Sequence, residues 1–163
     1  MMRKGIIDRS SKEPSSADQD WLDLGRLAQV EITSEDAGHP VESALTAGGG
    51  PGWLAGEPGE QTLRLVFDEP QALRHIQLVV EEEKRERTHE IVLRWSGDGG
   101  RSYREILRQQ FTFSPPGATR EIEDYGVNLQ GVTVLELSIV PDISRGDARA
   151  SLILLRLAGG RHE

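Results

Sequence analysis

Four histidines are the residues on which metal or acid–base chemistry would first be sought, and their placement argues against both. His39, His75, His89 and His162 fall on four different predicted segments, and none has a second histidine or a carboxylate at a recognised ligand spacing. They read as solvated or incidental side chains, with no metal bound. The chain has no cysteine, so neither a thiolate metal site nor a disulfide framework is available to it. No serine or threonine stands in a Gly-x-Ser-x-Gly elbow, and no Gly-x-x-x-x-Gly-Lys loop is present to cradle phosphate. The glycine cluster before Trp53, Gly48-Gly49-Gly50-Pro51-Gly52, lacks the strand-to-helix context such a loop requires. Carboxylates are abundant, but acid–base catalysis needs two that converge in a cleft, and abundance does not supply convergence. The expectation is a protein that is not an enzyme and carries no cofactor.

Bulk properties narrow the partners. A chain of 163 residues supports one well-buried core. Its formal charge of -8 disfavours a phosphate backbone or an anionic membrane, so nucleic acid is not an expected partner. No apolar run reaches the roughly 20 residues of a membrane span. The N-terminal Met1-Met2-Arg3-Lys4-Gly5-Ile6-Ile7 is interrupted by Asp8 and Arg9 before an apolar stretch long enough for a signal peptide, and a cytoplasmic location is the expectation.

The elements that must position any binding groups are strands. Leu63, Leu65 and Phe67 share one face of an alternating run; Ile76, Leu78 and Val80 share a face of a second, and Ile91, Leu93 and Trp95 of a third. Together these predict a half-buried antiparallel sheet, with a turn at Asp68, Glu69 and Pro70. Further strands are expected over residues 27–32, 102–107, 121–125, 132–140 and 151–157, and Gly97-Asp98-Gly99-Gly100 offers the positive φ that a tight hairpin needs. Residues 10–20 are polar and predict a flexible arm over 1–20, ahead of a domain at 21–158 and a short tail at 159–163. Residues 33–61 read as a long loop with a helical turn around 41–45. Eight strands without a long helix predict an all-β fold, an eight-stranded antiparallel jelly-roll β-sandwich.

The order of these features resembles the discoidin or coagulation-factor type C family, within the galactose-binding-like superfamily. The likeness is carried by His39-Pro40-Val41-Glu42-Ser43-Ala44-Leu45, Trp53, the run from Leu63 to Pro70 with Leu73, His75 and Ile76, the Trp95-Ser96-Gly97-Asp98-Gly99-Gly100 hairpin with Tyr103, and the closing Ala150-Ser151-Leu152-Ile153-Leu154-Leu155-Arg156-Leu157. The resemblance implies a binding module for a carbohydrate or a similar small polar ligand, or alternatively an intracellular protein–protein interaction or assembly module. Where many members carry an Asp-Gly associated with calcium, this chain has Thr46-Ala47-Gly48, so that carboxylate is missing. The exposed tip-loop hydrophobics of membrane-binding members are missing as well.

Reversal of successive strands sends alternate connections to the same end. Residues 33–61, 81–88, 109–119 and 141–149 should therefore share one end, opposite short turns at 68–71, 97–101 and 126–131. The long-loop end supplies the candidate binding residues. These are Asp36 and His39 for polar contact, Arg85 and Arg87 for an anionic group, and Arg145 and Asp147 facing them. Trp53 either stacks on a sugar ring or packs against the sandwich. The run Glu81-Glu82-Glu83-Lys84-Arg85-Glu86-Arg87 is expected to be a solvated turn that discourages edge pairing.

Overall fold

Two 21-residue strands set the architecture. The computed structural model describes residues 21–46 and 50–159; the expected arm at 1–20 and residues 160–163 lie outside them. In chain order the elements are the single-turn helix α1 (Leu24–Leu27), β1 (Ala28–Ile32), the single-turn helix α2 (Glu42–Leu45), β2 (Trp53–Leu54), β3 (Gln61–Glu81), β4 (Arg87–Ser96), β5 (Arg104–Phe113), β6 (Arg120–Val140), β7 (Ser151–Leu152) and β8 (Leu154–Gly159).

One sheet runs β1, the first half of β3, the second half of β6, β4 and β5; the other is β8, the second half of β3 and the first half of β6. All these pairs are antiparallel, and β1, β4, β5 and β8 with the halves of β3 and β6 make the eight strands of a jelly-roll sandwich. β2 and β7 form a separate two-stranded ladder at the loop end.

The expected turns at 68–71 and 126–131 reverse the chain, but not as hairpins within one sheet. They are bends inside β3 and β6, where the paired strands pass together from one sheet to the other. The register slips between Val66 and Gln71, and again on either side of Leu73. The last slip, before His75, shifts the inward parity from Leu73 to Ile76, Leu78 and Val80, all of them fully buried. Consequently Leu63–Phe67 does not pair with the following run. It shares a sheet with Ile91–Trp95, and the second half of β6 lies between them.

Inward residues of both sheets, among them Leu65, Leu78, Leu93, Leu137 and Leu157, form one core. At about 1.5–3 kcal/mol for each fully buried side chain of this size, that core is the main favourable term. Trp95 faces it beside Leu135 but is only partly buried, because it sits at the end nearest the hairpin. Gly99 and Gly100 take the positive φ expected there, 76° and 93°. β8 runs one residue past the expected domain limit, with Gly159 opposite Leu73. β5 extends to Phe113, so the loop expected at 109–119 shrinks to residues 114–119.

Candidate functional site

The loops gather at one end, as strand reversal requires. The Glu82 N–H donates to the Thr119 carbonyl at 2.9 Å, the Ile143 N–H to Thr88 at 2.9 Å, and Arg85 pairs with Asp147 at 2.8 Å, tying residues 81–88 to 114–119 and 141–149. Ala55 N–H to Ala150 O, at 2.8 Å, adds the long loop before β3. Between these segments lies an open hollow of about 310 Å³, its rim formed by His39, Lys84 and Arg149 and its apolar surface by Pro51, Leu54 and Ile153.

The rim is held by a short network. Asp36 Oδ2 lies 2.9 Å from His39 Nδ1 and also accepts the Gly38 N–H at 3.1 Å. The His39 contact, then the Gly38 N–H, holds the Asp36 carboxyl below its ordinary range, and Arg149 acts in the same direction. With Nδ1–H donated to Asp36, the His39 Nε2 is left as an acceptor for a ligand. Arg149 Nη1 reaches the Ala55 carbonyl at 3.2 Å and Asp36 Oδ1 at 3.8 Å, which fixes the guanidinium at the rim with donors to spare. Lys84 has no acidic partner among the described residues.

Residues 83–86 of the charged run are the expected exposed turn between β3 and β4, but Arg87 and Glu82 at its two sides are engaged in a folded structure. Arg87 is 5% exposed, donates Nε–H to Glu82 Oε1 at 2.7 Å and Nη1–H to the Pro141 carbonyl at 2.6 Å, and lies 5.1 Å from the centre of the Phe113 ring. Glu82 in turn accepts the Lys84 N–H at 2.9 Å and the Arg85 N–H at 3.3 Å. Burial pushes the Glu82 carboxyl up, but Arg87 and these amides outweigh it and hold it below its usual value. Arg87 is therefore a fully engaged clamp and not a receptor for an anion.

For Trp53 the packing alternative holds, and its place among the stacking candidates is withdrawn. At 2% exposure, with Nε1–H donating to the Ser34 carbonyl at 3.0 Å, it lies beneath the hollow as core and offers no open ring face. Of the remaining candidates, Asp36 and His39 meet at the rim, and Asp147 faces Arg85 in an exposed pair. Arg145 faces neither arginine. It lines a separate hollow of about 250 Å³ with Gly59 and Glu60. Sequence reasoning missed Lys84, Arg149 and Glu82. The readable signal was Glu82 and Arg87 flanking a tight charged loop, as partners do when one closes on the other. The histidines are not all solvated either, since His89 is 1% exposed. Among the described residues no group of three or more His, Asp or Glu side chains is placed to hold a metal ion.

No family model matches the chain, and no characterised protein matches it by sequence. Solved structures do. The family 32 CBM from Clostridium perfringens NanJ, in complex with galactose, superposes with a TM-score of 0.65 at 9% identity, over 85% of this chain and 98% of that one. The two share an antiparallel jelly-roll sandwich fold. CBM32-3 from a Clostridium perfringens family 31 glycoside hydrolase gives 0.64 at 16% identity over 86% and 95% of the two chains. The F5/8 type C domain of a Bacteroides fragilis protein gives 0.61 at 15% over 89% and 99%. The fold is thus the jelly-roll sandwich that the order of sequence features implies, and it is shared with these domains.

Proposed function

We propose that this chain is a non-catalytic carbohydrate-binding module whose ligand sits in the hollow rimmed by His39, Lys84 and Arg149. The observation that carries this reading is the rim itself: an acceptor at His39 Nε2 and donors on Arg149 and Lys84, set around an apolar patch of Pro51, Leu54 and Ile153. Alternating donors and acceptors beside a small apolar surface suit the hydroxyls and C–H face of a sugar ring. Similar folds have been solved with galactose, with GalNAc and with 4,5-unsaturated mannuronic acid, which supports the same ligand class here. With Trp53 buried, recognition rests on hydrogen bonds more than on stacking. Three carboxylates at the hollow are engaged, Glu82 by Arg87, Glu81 by Arg120 and Asp36 by His39, while Glu83 stands exposed at its edge.

The test is calorimetric titration of galactose, GalNAc and a uronate oligosaccharide into the native chain and into Arg149→Ala and His39→Ala. Binding of at least one sugar, weakened tenfold or more in both variants while the melting temperature holds, is the expected result. Binding that survives both substitutions, or no binding to any sugar, overturns the reading.

A further inference from the structure

β3 and β6 carry the chain from one sheet to the other, but β5 and the first half of β6 are edges with no ladder between them. Beyond the Ser114–Ala118 bridge in the turn that connects them, these two edges are joined by side chains, with a further contact from the neighbouring β4. His89, on the inner face of β4, places Nε2 2.5 Å from Glu121 Oε1 of β6, and both residues are 1% exposed. Two residues further along the inner face of β6, Glu123 Oε2 accepts the Gln109 Nε2–H of β5 at 2.6 Å, and Tyr125 donates its hydroxyl to Gln109 Oε1 at 3.2 Å. Phe113 packs edge-on against His89 with centroids 5.0 Å apart, and against Phe111 at 4.9 Å.

The alternation here is inverted relative to what a core requires. Glu121, Glu123 and Tyr125 point inward, whereas Ile122 between them is 58% exposed. His89 Nδ1 and Glu121 Oε2 are buried without partners. Burying such groups is costly, and nothing about packing asks for it.

The groups facing one another are Arg87 and His89 from β4 and Glu121, Glu123 and Tyr125 from β6. β5 contributes only the neutral Gln109 and two phenylalanines, and the inner face of β3 contributes Leu78 and Val80. Burial first, then the Arg87 cation, lowers the imidazole to about 4. Burial raises the Glu121 carboxyl, and burial with the Glu121 carboxyl beside it raises Glu123 to about 7. Two carboxyls this close resist ionising together.

We propose that the β5–β6 seam is a proton-held clasp: a proton retained by the Glu121, Glu123 and His89 cluster keeps the two edges together, and its loss parts β5 from β6. The loop end follows, because Arg87 rests on Phe113 and Glu82 bonds to Thr119 in the turn that joins β5 to β6. For Glu123 the folded value is raised, so its contribution is complete below the ordinary carboxyl range and is lost as pH climbs to about 7. His89 acts oppositely: its folded value is depressed, so its contribution is lost as pH falls from about 6.5 toward 4. Replacing Glu123 with glutamine separates the two, since the amide still accepts from Gln109 but carries no titrating proton.

The chain has no cysteine, so spin labels can be placed at Gln110→Cys on β5 and Ile122→Cys on β6, both exposed. Pulsed dipolar measurements at pH 5.5 and 8 then read the separation of the edges. The population with the longer distance, taken as a ratio of the parent to the Glu123→Gln form, should grow roughly tenfold or more between these pH values. A ratio that stays constant overturns the clasp. Should the variant not fold, a carboxyl 13C titration of Glu123 in the native chain decides. A midpoint near 7 supports the clasp, and one near the ordinary 4.3 overturns it.

Discussion

Trp53 and Ser34 are joined by a 3.0 Å hydrogen bond, the indole Nε1–H donating to the backbone carbonyl, and this bond fixes the base of the loop end. Ser34 is also held by its own side chain, whose hydroxyl lies 2.6 Å from Gln61 Oε1 and accepts the Gly56 N–H at 2.9 Å. The long loop is thereby anchored to the start of β3.

Trp53→Ala should accordingly cost about 3–5 kcal/mol, the range for truncating a buried aromatic. Trp95→Ala, where the ring is only partly buried, should cost less. Urea denaturation of the two variants checks the order. A Trp53→Ala loss under about 1 kcal/mol, typical of surface substitutions, contradicts the placement of the ring.

Arg87 and Glu82 form a pair whose side chains are 2% and 16% exposed. Removing one partner of such a pair strands the other, so Arg87→Met should destabilise by about 3–5 kcal/mol. Arg87→Lys should not rescue it, because Nε and Nη1 are both committed and an ammonium cannot reproduce that fork. Adding Glu82→Gln to Arg87→Met should recover part of the loss. Strict additivity in a double-mutant cycle would show that the two residues do not interact.

Strand existence and fold were legible because alternation along Leu63, Leu65 and Phe67, or Ile91 and Leu93, reports burial directly. The two bends were not. Asp68, Glu69 and Pro70 carry the composition of a turn, and nothing local distinguishes a hairpin within one sheet from a reversal that carries the chain to the other sheet, because the difference lies in what β6 does opposite. The site was half legible. Asp36 and His39 are three residues apart and meet locally, whereas Arg149 reaches them only through the ladder that sets Ala55 against Ala150. His89 and Glu121 are 32 residues apart, and Glu121 stands where an apolar residue belongs, so the pattern that reveals a core conceals this contact.

The hairpin end yields the last prediction. Asp98 accepts the Ser96 and Ser102 hydroxyls, each at 2.7 Å, and the N–H groups of Arg101 and Ser102 at 3.0 and 2.9 Å. The Ser102 hydroxyl, then that of Ser96, drives its carboxyl far below the ordinary carboxylate range. A depressed folded value means that the contribution is complete above the unfolded pKa of about 3.9 and is lost as pH falls below it. Melting curves between pH 2 and 6 should therefore show an acid limb that Asp98→Asn flattens, with the variant less stable than the native chain near pH 6. Asp98 lies at the opposite end from the hollow, beside Gly131 and Thr133. Its substitution should leave sugar affinity within about twofold of native, whereas Arg149→Ala does not. Loss of binding in a folded Asp98→Asn, with Arg149→Ala unaffected, would move the site to the hairpin end.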